Sequence, residues 1–145
     1  MSEEDIHKKW VGGICVHDNK VLLIHRINNE INFTKEYYVF PGKDVLEDET
    51  LEIALKKAFM DISVTVQLGD LFYSKEEDFE DQEYYYTCLY LLGDPAVASL
   101  SDQAKEMQRG KQTYTPVWIK LSEIEDLIIY PESVKISILE NLIKN

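Results

Sequence analysis

The chain has 145 residues, 45% hydrophobic and 29% charged, a balance that fits one globular domain spanning residues 1–145 and excludes a disordered or fibrous protein. Lys and Arg number 15 against 27 Asp and Glu, a formal net charge of -12 with no basic cluster. That charge argues against nucleic acid and anionic membranes as partners and favours small molecules, cations or proteins.

The opening MSEEDIHKKW has no apolar core and no small-residue cleavage site, so it does not read as a signal peptide. No apolar run approaches the roughly 20 residues that span a bilayer. Cys15 and Cys88 each sit inside an apolar, strand-like run and are expected to be free, buried thiols. A cytoplasmic location is the expectation that follows.

Trp10–His17 and Val21–Ile27 are β-rich runs separated by Asp18-Asn19, residues that tolerate positive φ; together they predict a hairpin. Asn28–Glu36 reads as a loop, and Tyr37–Phe40 as a short aromatic strand ending at Pro41-Gly42. Thr50–Ile62 is the clearest helix: Leu51, Ala54, Leu55, Ala58, Phe59 and Ile62 form one apolar stripe, and Thr50 is its expected N-cap. Val64–Tyr73 reads as a strand interrupted near Gly69, Glu76–Glu83 as an acidic loop, and Tyr84–Leu92 as a strand rich in tyrosine and leucine. Gly93–Gly110 is irregular. Tyr114–Leu121 is a strand placed at an edge by Pro116, which cannot donate a ladder hydrogen bond. Ser122 is expected to cap a short helix. Pro131 suits the first turn of a final helix carrying Val134, Ile138, Leu139 and Leu142. The order of strands, helix, strands, helix is not a regular βαβ alternation, so an α/β fold with a mixed sheet and packed helices is predicted.

Residues 37–64, YYVFPGKDVLEDETLEIALKKAFMDISV, resemble the Nudix (MutT-like) hydrolase family. That family's signature runs Gly, five residues, Glu, seven residues, then Arg-Glu-apolar-x-Glu-Glu-x-Gly-apolar, after an aromatic strand ending in Pro-Gly-Gly. VLLIHR at 21–26, Tyr114–Leu121 with Ser122-Glu123, and Tyr130-Pro131-Glu132 resemble further family elements. The resemblance implies a Nudix-like α/β/α sandwich. It implies hydrolysis of nucleoside diphosphates linked to another moiety, supported by Mg or Mn. It also implies a nucleotide-like small-molecule ligand and a homodimer, since dimers are frequent in the family. In that chemistry divalent cations shield the phosphates, and glutamates three and four positions apart on one helix face hold them.

Two registers align the chain with the signature. In one, Glu49-Thr50 matches Glu-Thr, Lys57 takes the arginine, and Ala58, Asp61 and Ile62 take the three glutamates. In the other, starting at Gly42, Asp48 takes the first glutamate, Lys56 the arginine, Lys57, Met60 and Asp61 the three glutamates, and Ser63-Val64 the closing Gly-apolar pair. Either register leaves Asp61 as one acid where three are expected. By resemblance, Glu49 and Asp61 are the candidate catalytic residues, Asp61 and the Gly42 carbonyl the candidate metal ligands, and Arg26, Phe40, Lys43 and Lys57 the candidate substrate contacts. One aspartate with a backbone oxygen is too little to hold a cation cluster, so weak or absent metal-dependent turnover is expected. The alternative is a non-catalytic nucleotide-binding or regulatory, protein-interacting domain. Relocated acids at Asp44, Glu47, Asp48, Glu52 or 76–83 are the route by which activity would persist.

Overall fold

The computed structural model describes residues 8–29, 34–76, 81–96 and 113–142. In chain order the elements are β1 (Lys9–His17), β2 (Lys20–Asn29), β3 (Thr34–Val39), β4 (Gly42–Asp44), α1 (Leu51–Met60), β5 (Thr65–Lys75), β6 (Gln82–Leu92) and β7 (Thr115–Lys120). A 3-10 helix (Leu121–Asp126), β8 (Ile129–Tyr130) and α2 (Glu132–Asn141) complete them.

The strands form one mixed sheet in the order β5-β6-β1-β2-β3-β8, with β4 pairing β1 and β7 pairing β2 off that path. β1 runs parallel to β6 over seven residue pairs, from Lys9↔Gln82 to Cys15↔Cys88. β1 and β2 pair only next to their turn, at Val16↔Val21 and His17↔Lys20, and then diverge. The expected hairpin turn is present: Asp18 and Asn19 have φ of 55 and 61, as a two-residue primed turn demands. The gap opened between β1 and β2 admits β4 beside β1, at Trp10↔Asp44 and Gly12↔Gly42, and β7 beside β2.

Strand alternation sends side chains to two faces, and each face is covered. On one, Val11, Cys15, Leu22, Ile24 and Cys88 pack against Ala54, Leu55, Phe59 and Ile62 of the α1 segment. On the other, Ile14, Val21, Leu23, Phe40 and Tyr85 pack against Ile124, Val134 and Ile138. The result is the α/β/α sandwich expected from the sequence. Gly13 permits the first contact: a Cβ there would lie 2.4 Å from the Phe59 ring.

α1 starts where the stripe predicts. The Thr50 hydroxyl accepts the Ile53 N–H at 3.1 Å, satisfying one of the orphan donors of the first turn. It stops at Met60, two residues short of the expectation, because Ser63 adopts φ 63 and turns the chain into β5. β5 carries the expected interruption: its register against β6 shifts between Leu68 and Leu71, around Gly69. β7 pairs β2 alone, consistent with Pro116 at an edge.

Several expectations need correction. Ser122 does not cap the short helix, which begins one residue earlier; the Leu121 N–H donates to the Asn19 carbonyl at 3.0 Å, so a main-chain partner serves there. Residues 34–36, read as loop, belong to β3. Pro131 stands at the N-cap of α2 rather than in its first turn, and Leu142 lies past the helix end and is exposed. The strands β4 and β8 were not foreseen. Of the irregular stretch at 93–110, residues 97–110 lie outside the described residues, as do 77–80 of the acidic loop. Cys15 and Cys88 are free and buried, and burial pushes each thiol up to about 12. Among the described residues no helix is long and apolar enough to cross a membrane.

Candidate functional site

The segment between β4 and α1 folds back on the helix through Glu49. Its Oε1 accepts the Leu46 N–H at 3.0 Å, and its Oε2 accepts from Lys57 Nζ at 2.6 Å, with Lys43 Nζ at 3.7 Å from the same oxygen. The Glu49 side chain is 4% exposed and that of Lys57 53%, so the carboxylate lies inside with the ammonium over it. The hydrogen bond from Lys57 holds the Glu49 carboxyl below the usual carboxylate range, helped by the Leu46 N–H and the two lysine charges against the opposing effect of burial. The same bond raises Lys57.

A second group gathers where the later part of β2 meets the start of β7. Arg26 follows Leu22 and Ile24 by strand alternation onto the α1 face of the sheet. Its guanidinium lies 5.2 Å from the centre of the Tyr114 ring. Tyr114 packs against the α1-side core, and burial pushes its phenol up to about 12, while Arg26 pulls it down and Asp61 pushes it up. Asp61, the C-cap residue of α1, therefore acts on the same ring as Arg26. The sequence marked Arg26 and Asp61 but not Tyr114, whose place depends on the β2–β7 register rather than on any local motif.

The other sequence candidates are distributed differently. Phe40 is buried, packing edge-on against Tyr85 with ring centroids 5.9 Å apart, so its ring belongs to the core. Gly42 begins β4 opposite Gly12, and a Cβ there would meet the Trp10 ring at 2.3 Å. Asp44, Glu47 and Glu49 line an open hollow of about 520 Å³ together with Lys8 and Lys9. Glu52 pairs with Lys56 one turn along α1 at 3.3 Å. Asp48 is exposed in the turn before α1. Of the stretch 76–83 read as an acidic loop, Gln82 and Glu83 belong to β6 instead; Asp81 accepts the Lys8 N–H at 3.0 Å and Glu83 accepts the Tyr85 hydroxyl at 3.1 Å.

Solvent access separates the two signature registers. Ala58 is 5% exposed and Ile62 fully buried, so two of the three glutamate positions of the first register point into the core. Lys57 and Met60 are exposed and Asp61 half-exposed, so all three positions of the second face outward. The second register also puts Ser63, with its positive φ, on the signature glycine, and buried Val64 on the apolar position that closes it. Its three metal-holding positions carry one acid, one thioether and one ammonium. Among the described residues, no group of three or more His, Cys, Asp or Glu is placed to hold a metal ion. With both Glu49 oxygens engaged, the described residues do not fit a cation cluster.

No protein-family model matches the sequence, and no curated protein matches it. Solved structures do match along nearly the whole chain. A Nudix hydrolase from Nitrosomonas europaea superposes with a TM-score of 0.69 at 12% identity, covering 93% of this chain and 88% of that one. A MutT protein from Methanosarcina mazei superposes at 0.63 and 17% identity, covering 96% and 95%. An ADP-ribose pyrophosphatase from Streptococcus suis superposes at 0.64 and 12% identity, covering 97% and 95%. At such identities the likeness is one of fold, and it agrees with the sandwich built above from sheet order and core: this chain has the fold of the Nudix hydrolases.

Proposed function

We infer that this is a divergent Nudix-type domain that binds a phosphorylated, nucleotide-like small molecule and has lost metal-dependent pyrophosphate hydrolysis. The observation that carries the reading is the Lys57–Glu49 bond at 2.6 Å. It engages the carboxylate nearest α1 and places a positive charge at a helix position where a cation-binding site needs a negative one. Hydrolysis of a pyrophosphate linkage brings several phosphate charges together and requires them to be shielded as water attacks. Among the described residues, the one aspartate at the signature's glutamate positions, with a lysine at another, supplies too few carboxylates for a cation pair. The anionic ligand is served instead by this chain's own cations. Lysine binds phosphate as a point charge, and an arginine fork binds two of its oxygens. Lys43, Lys57 and Arg26 are the residues assigned to that contact, with Asp61 and Tyr114 setting the field around Arg26.

Nucleoside triphosphates, ADP-ribose and dinucleoside polyphosphates, each with Mg²⁺ and with Mn²⁺, test the reading. The expected result is no turnover above background, together with thermal stabilisation by at least one ligand that weakens in Arg26→Ala and Lys43→Ala. Turnover by the unaltered chain that Asp61→Ala abolishes would overturn it.

A further inference from the structure

The contact between Glu49 and Lys57 carries a further inference, which rests on the reading above. Positions 57 and 61 are one turn apart, hence neighbours on the helix surface. The Asp61 N–H donates to the Lys57 carbonyl at 2.9 Å, so the helical repeat holds through position 61. Glu49, from the preceding loop, meets the helix at position 57. Glu49 and Lys57 therefore meet there, and position 61 is the next one along that side of the helix. A dication approaching Glu49 meets Lys57 at 2.6 Å and Lys43 at 3.7 Å already on the same oxygen. The other oxygen receives the Leu46 N–H.

We propose that Lys57 is a resident cation: its ammonium tethers the loop before α1 to the helix and occupies the charge position that a divalent ion would otherwise take, which makes this face of the fold metal-independent. The tether is intramolecular, so the loop is held to the helix without any ion in solution. Replacing Lys57 with glutamate removes the ammonium from Glu49 and supplies a third carboxylate one turn from Asp61. That single change converts a site that excludes dications into one that binds them. Oxygen-rich, partly open sites of this kind suit Mn²⁺ and Mg²⁺.

The test compares the unaltered chain with Lys57→Glu and Lys57→Met, using Mn²⁺ alone as the probe. Bound Mn²⁺ is read by paramagnetic resonance and by thermal melting with and without the ion. Lys57→Glu should bind Mn²⁺ at least about tenfold more tightly than the unaltered chain and gain stability from it. Adding Asp61→Asn to that variant should cancel most of the gain. Lys57→Met, which removes the ammonium without adding a ligand, should bind no better than the unaltered chain. Should Lys57→Glu fold poorly, hydrogen exchange at the Leu46 amide provides the independent measurement. It should quicken in Lys57→Met and be indifferent to Mn²⁺ in the unaltered chain. Equal Mn²⁺ affinity in the unaltered and Lys57→Glu chains, or an unchanged Leu46 exchange rate in Lys57→Met, overturns the proposal. Metal-dependent turnover by the unaltered chain would sink the functional reading separately, whatever the variants bind.

Discussion

Ile62→Glu is the most discriminating substitution, because one of the two signature registers makes it a restoration and the structure makes it a core lesion. Ile62 is fully buried among the residues that α1 packs on the sheet, and its carbonyl accepts the Ala96 N–H at 3.0 Å. Truncating a buried isoleucine costs about 2–5 kcal/mol. Glutamate restores some of the lost volume but brings a carboxyl with no designed partner, adding about 1–3 kcal/mol. A net loss of about 4 kcal/mol is a large share of the roughly 5–15 kcal/mol that holds a domain together. At about 2–4 °C per kcal/mol it lowers the melting temperature by about 8–16 °C. The pH dependence has a defined sign. Burial raises the folded-state pKa of the new carboxyl above its unfolded value of about 4.3. Below that value it is neutral in both states and the electrostatic part of the deficit vanishes. The deficit grows as pH rises from there towards the folded pKa and is constant beyond it. Met60→Glu, at a site 65% exposed, is the matched control and should stay within about 0.5 kcal/mol of the unaltered chain. Thermal or urea melts between pH 4 and 8 measure both. A loss under about 1 kcal/mol for Ile62→Glu at neutral pH, or Mn²⁺ binding gained by that variant, would refute the assignment of position 62 to the core.

Three further outcomes follow from the same packing. Gly13→Ala forces a methyl group to within 2.4 Å of the Phe59 ring and should destabilise by about 1–3 kcal/mol in a urea melt. Thr50→Ala removes the side-chain acceptor of the Ile53 N–H and should cost about 1 kcal/mol, visible as fraying of the first turn of α1 in amide exchange. The carboxyl of Glu49 is held below its ordinary range by the Lys57 hydrogen bond, so its contribution to stability is present above the unfolded pKa and is lost as pH falls through the folded one. Glu49→Gln should flatten the acid limb of the stability curve, and an unchanged limb would show that the pairing does not matter to folding.

What the sequence revealed and what it withheld divide along physical lines. The cap and stripe of α1 and the Asp18-Asn19 turn were readable because each is decided within a few residues, by a hydroxyl three positions from an amide or by side chains that tolerate positive φ. β4 was not readable. Three residues carry no periodicity, and its place is set by pairing with Trp10–Gly12 and by the Gly13 N–H donating to the Pro41 carbonyl at 2.9 Å. The joining of Glu49 to Lys57 spans eight positions and a loop-to-helix turn, so no motif announces it. Tyr114 enters the site only through a strand register.

The register ambiguity has the same origin and a sharper consequence. Ala58 and Lys57 are neighbours in sequence, yet Ala58 is buried and Lys57 exposed, and only burial tells which of them is open to a ligand. α1 thus divides its duties between two faces. Ala54, Leu55, Ala58 and Phe59 hold it to the sheet. Positions 57, 60 and 61 lie on the outward side, where single substitutions commonly shift stability by no more than about 0.5 kcal/mol. Charge on the outward face can therefore be lost or reversed while the inward face keeps the sandwich intact. The residues that hold α1 to the sheet are thus not the ones on its outward face, and the fold does not depend on the charges carried there.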